Sequence, residues 1–132
     1  MKANVSLTIT SLLSILLMTI HVSDDIAHGF EPGGLTSLGV TVTVLVVWLY
    51  GTLVLADRRS GYVIILVGSL LGAIVPIIHM KGEGVGKIAT TSGGFFFVFT
   101  LLALGVTAVF SVILSARGLW TPREGGRGAP RS

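Results

Sequence analysis

Three histidines and two aspartates are the residues of this chain best suited to chemistry. The segment His21-Val22-Ser23-Asp24-Asp25-Ile26-Ala27-His28-Gly29 holds four of the five. On a helix, His21, Asp24, Asp25 and His28 stand in the i, i+3, i+4, i+7 relation and share an arc of about 60 to 100°. Gly29 is placed to end that helix. Two carboxylates then sit in a last turn, where the helix dipole disfavours negative charge by roughly 0.3 to 1 kcal/mol. They need compensation from a cation, an imidazolium or neighbouring donors.

His79 is the fifth member. It lies 18 residues past Gly61, and His21 lies 17 past Asn4. At 1.5 Å per residue both stand about 26 Å up their helices, at one depth. Mixed imidazole and carboxylate ligands suit Zn, Mn or Fe. Haem between His21 and His79 is a less favoured alternative, because it wants a roomy pocket between two axial imidazoles. The same five residues also fit a hydrogen-bonded cluster that ties one helix to another. Proton relay fits intramembrane ionisable groups, but no Asp, Glu or Lys lies near the centre of any apolar run to continue a path.

The elements that must position these residues are apolar runs. They extend from Val5 to Val22, Leu35 to Ala56, Gly61 to Met80 and Phe95 to Ala116, with lengths of 18, 22, 20 and 22 residues. About 20 residues of helix cross a hydrocarbon core of about 30 Å. None of the runs alternates as barrel strands do. The expected architecture is all-α: an integral membrane, four-transmembrane antiparallel helix bundle over residues 1–120. Its spans fall at about 5–28, 35–56, 61–80 and 95–117, and a flexible basic tail follows at 121–132. Composition agrees. Charged residues are 11% of the 132, mean hydropathy is +0.91, and a soluble domain carries about 25% charge.

Lys2 before an apolar stretch resembles a signal peptide. His21 and Ser23 stand where small residues should precede a cleavage site, so the first run is expected to be retained as a span. Lys2, Arg58, Arg59, Arg117, Arg123, Arg127 and Arg131 fall on one side, and Lys81 and Lys87 on the other. That 7-to-2 split places both termini in the cytoplasm, in the inner membrane if the source is bacterial. The His/Asp segment then faces the opposite side.

Small residues and interhelical hydrogen bonds hold helices together in lipid. Gly68 and Gly72 form a G-x-x-x-G, and Ser6, Thr10 and Ser14 repeat every four residues on one face. These two faces are expected to pack together within the chain or to drive oligomerisation. Pro76 frees the Gly72 carbonyl. Trp48, Tyr50, Tyr62 and Trp120 read as an interfacial belt.

Several functions are excluded. The basic residues lie between apolar runs rather than on one surface, which argues against nucleic acid. With no Cys there is no disulfide or thiolate chemistry. Lys81-Gly82-Glu83-Gly84-Val85-Gly86-Lys87-Ile88 fails the phosphate-loop pattern, since Ile88 stands where Ser or Thr is required. His21, Ser23 and Asp25 are too close on one helix for a hydrolase triad. The expectation is therefore a small, non-catalytic membrane protein. It acts by association in the bilayer, as a homo-oligomer or as an accessory subunit of a larger membrane complex. The alternative is a metal- or haem-binding protein using His21, Asp24, Asp25, His28 and His79.

Overall fold

The computed structural model describes residues 3–29, 34–81, 86 and 88–121. Lys2, residues 30–33, Lys87, the centre of the phosphate-loop look-alike at 82–85 and the tail from 122 onward lie outside the described residues.

Four helices follow in order: α1 (Ala3–Ala27), α2 (Gly34–Leu53), α3 (Arg59–Lys81) and α4 (Gly94–Trp120). All four are long and apolar enough to cross a membrane. In an apolar medium every backbone polar group must find an internal partner, which a helix supplies by itself. The hydroxyl residues follow the same rule by bonding back to their own helix. Thr8 donates to the Asn4 carbonyl at 2.8 Å, Thr19 to that of Ile15 at 2.8 Å and Ser115 to that of Ser111 at 2.6 Å.

The helix ends are built from turn chemistry. Beyond α1, Gly29 adopts φ +71° and its N–H bonds the Ile26 carbonyl at 3.1 Å. This is the left-handed termination that glycine permits. The second helix stops at Leu53, three residues before the expected Ala56. Val54 and Leu55 fold their N–H groups back onto the Tyr50 carbonyl, and Arg58 bonds the Leu55 carbonyl at 2.9 Å. The turn thus forms one residue block early, and Arg59 and Ser60 become the start of α3. The Leu55 carbonyl then occupies the place where a Cβ on Gly61 would be.

α4 makes the most extensive packing, against α3 and α1. α2 packs on α3 and, more lightly, on α1, and it does not meet α4 among the described residues. The helices therefore form a ring in chain order. One apolar cluster gathers Leu7, Ile15, Trp48 and Ile65, and another gathers Ile88, Phe97 and Leu101. Leu104 and Ala108, fully buried, lie on the same face of α4.

Two packing expectations need correction. Trp48 is no belt residue: it is 1% exposed. Its indole N–H donates to the Ser11 hydroxyl at 3.0 Å and its ring lies against Gly68. The Gly68/Gly72 face meets Trp48, Leu104 and Ala108 rather than Ser6, Thr10 and Ser14. The reason is that α4 packs extensively against both α1 and α3, which themselves meet only slightly. Thr10 bonds the Ser6 carbonyl at 3.0 Å, and Ser14 donates across to Thr107 of α4 at 3.1 Å. Ser11 pairs with Thr52 of α2 at 2.8 Å. Pro76 packs against α4 at Gly105, where an added Cβ would come 3.2 Å from its ring.

The buried residues of α2 are Trp48, Gly51 and Thr52, all in its last third. Its first two thirds hold no buried residue and, beside the end that carries the histidines, line a cavity with α1 and α3.

Candidate metal centre

The last two turns of α1 present two adjacent stripes. His21 and Asp25, four residues apart, point inward: His21 is 2% exposed and Asp25 9%. Asp24 and His28, also four apart, lie on the neighbouring stripe, where Asp24 lines a shallow groove with Thr19, Ser23 and Phe96. His28 is exposed; its Nδ1 donates to the Asp24 carbonyl at 2.8 Å and stands 3.4 Å from the Asp24 carboxylate. The fold thus separates the five sequence candidates: His21 and Asp25 turn into the bundle, while Asp24 and His28 pair with each other on the next stripe.

α3 brings His79, a third exposed at its side chain, beside His21 and Asp25. Its Nδ1 lies 2.9 Å from the Val75 carbonyl. A carbonyl only accepts, so Nδ1 carries the hydrogen, and the neutral ring keeps its lone pair on Nε2. That Nε2 lies 3.5 Å from Asp25 Oδ2, and His21 Nε2 lies 3.4 Å from the same oxygen. Donor atoms of His21, Asp25 and His79 all fall within 4.8 Å of one another.

These three groups leave polar atoms unmatched. Both ring nitrogens of His21 and Oδ1 of Asp25 are buried without a hydrogen-bond partner among the described residues. A buried polar atom without a partner costs about 1 to 3 kcal/mol. The 3.4 and 3.5 Å separations are long for hydrogen bonds to a carboxylate, which run about 2.7 to 2.9 Å. They match another geometry. Ligands about 2.1 Å from a tetrahedral metal stand about 3.4 Å apart. The Val75 carbonyl on His79 Nδ1 is the outer partner that metal-bound imidazoles usually have.

The surroundings fix the rings. His21 and His79 meet edge to face, with centroids 4.7 Å apart at 81°. Phe97 of α4 packs against both, at 5.3 and 6.3 Å. No flat slot separates the imidazoles, so these residues as placed do not fit haem. On the side away from Phe97 the three residues form part of the wall of a cavity of about 240 Å³ between α1, α2 and α3. Its remaining lining is mostly aliphatic, from Met18 and Val22 to Val44 and Val75.

Phe97 was not legible in the sequence as a site residue, because nothing in the spacing of α4 relates it to α1. Nor was a polar tie at the other end of the bundle. There Tyr62 donates to Asn4 Oδ1 at 2.6 Å, and Asn4 Nδ2 donates to Asp57 at 2.7 Å. An isolated Asn near a terminus carries no such signal.

Comparison with protein families, curated proteins and solved structures gives no match to this chain.

Proposed function

We propose that this chain is a multi-pass membrane protein that binds one divalent transition metal through His21, Asp25 and His79. Both termini face the cytoplasm and the site lies on the opposite side, as the distribution of Lys and Arg argues. The observation that carries the reading is His21: an imidazole 2% exposed whose Nε2, without a hydrogen-bond partner among the described residues, converges with His79 Nε2 on Asp25 Oδ2 at 3.4 and 3.5 Å. A cluster that merely tied helices together would close these contacts to ordinary hydrogen-bond length. A metal ion takes the Nε2 lone pairs and an Asp25 oxygen together. Two imidazoles and one carboxylate suit zinc first, with iron(II) or manganese next. Three protein ligands leave one position open, toward the cavity.

The test is metal content and zinc titration of protein purified in a non-ionic detergent. One zinc per chain is expected, and none in His21→Ala or His79→Ala. Wild-type protein that neither carries metal nor takes up zinc overturns the reading, as does full occupancy in both variants.

A second reading, association with another membrane protein or a second copy, is favoured by α2. Thr36, Gly39 and Thr43 are exposed along its first two thirds, and small or hydroxyl residues facing lipid suit a helix–helix contact. The Gly68/Gly72 face is already occupied within the chain, so a partner would dock on α2 instead.

A further inference from the structure

The cavity beside the candidate metal centre has a shape and a polarity that select a ligand. It is partly open, and His21, Asp25 and His79 stand at one end of a wall that is otherwise aliphatic but for Thr41 and the Trp48 indole. At about 240 Å³ it is smaller than the 300 to 1,000 Å³ usual for a whole small molecule. It holds a head group and the first part of a chain. A second groove, of about 310 Å³, adjoins it along the α2–α3 seam. The two share Val44, Trp48 and Leu71 as walls, and the second continues past Val67 to Val63 and Ile64. From His79 to Ile64 is 15 residues of α3, about 22 Å. A leaflet of the bilayer is about 15 Å of hydrocarbon, half the full core, so the seam is long enough for one acyl chain.

Charge selects the head. A divalent metal bound by one carboxylate keeps a net charge of +1, which is costly in an apolar setting. A monoanionic oxygen ligand at the open position neutralises it. The site stands near one end of its helices, at the depth where a lipid's own head lies, and the seam runs from there toward the middle of the bundle. A single-chain amphiphile enters sideways from that leaflet without turning over.

We propose that the open metal position takes the carboxylate of a long-chain fatty acid, whose chain lies along the α2–α3 seam. This rests on the metal-binding reading above. The carboxylate oxygen completes the tetrahedron begun by His21, Asp25 and His79, and no bond in the ligand changes.

The test uses the full chain in a non-ionic detergent, zinc, and oleate labelled with ¹³C at its carboxyl carbon. Native mass spectrometry reads stoichiometry and the carboxyl ¹³C resonance reads coordination. One oleate per chain is expected with zinc and at least tenfold weaker binding without it. Val40 lines the cavity yet is 61% exposed, so Val40→Trp fills the space from its rim. That variant should keep one zinc and lose oleate at least tenfold. Val67→Trp, which blocks the seam further down, should keep zinc and shift preference from oleate toward octanoate. Zinc bound with no oleate, oleate bound equally without zinc, or a two-chain phospholipid displacing oleate each overturns the proposal and leaves metal binding standing. Absence of zinc binding by the wild type removes both.

Discussion

His21 differs from the other two histidines in its surroundings, not in its chemistry. It is enclosed by Phe97, His79 and Asp25, while His28 faces outward and stays with Asp24. The spacing along α1 and the matching depth of His79 made a cluster of five legible in the sequence, and His21, Asp25 and His79 are the three the fold brings together. The separation of Asp24 and His28 from these three was not legible. Residues 21 and 25 differ by about 40° around a helix, and 21 and 24 by about 60°. Residues 25 and 24 lie on opposite sides of residue 21, about 100° apart, and since α1 touches α4 on one side and α2 on the other, the two stripes enter different grooves. Asp24→Asn and His28→Ala should therefore leave one zinc per chain, measured by elemental analysis. Loss of zinc in either would mean that the surface pair joins the site.

The helices themselves were plain from length and hydropathy, and their ends were found to within a few residues. Their packing was not, because Gly68 and Gly72 announce a close approach without naming what approaches. The neighbour is the Trp48 indole, whose atoms lie 2.5 to 2.8 Å from the Cβ position of Gly68. An indole in the last third of α2 reads equally as belt or core until its N–H finds Ser11. Gly68→Val should thus push Trp48 off its seat and destabilise the bundle by about 1 to 3 kcal/mol, the usual range for overpacking. Gly39→Val, where nothing lies within 4 Å, should change stability little. Thermal unfolding of both variants in detergent checks the pair; equal midpoints would show that Trp48 yields freely.

For the whole molecule, the balance of Lys and Arg sets orientation. Arg58, Arg59 and Arg117 lie at the Asn4–Tyr62 end and Lys81 at the histidine end of the bundle. A fluorescent reporter fused after Ser132 should fold in the cytoplasm, and an alkaline phosphatase fused there should be inactive; active phosphatase would invert the topology. The contrast between hydroxyls and ionisable groups has a further consequence, for the order of biogenesis. Thr8, Thr19 and Ser115, for example, bond a carbonyl of their own helix, so these groups can leave the translocation machinery already satisfied. His21 and Asp25 cannot do so. Their partner His79 is synthesised more than fifty residues later, and until α3 arrives the far end of α1 must remain in contact with water. The far end of α1 therefore settles only after α3 has been made.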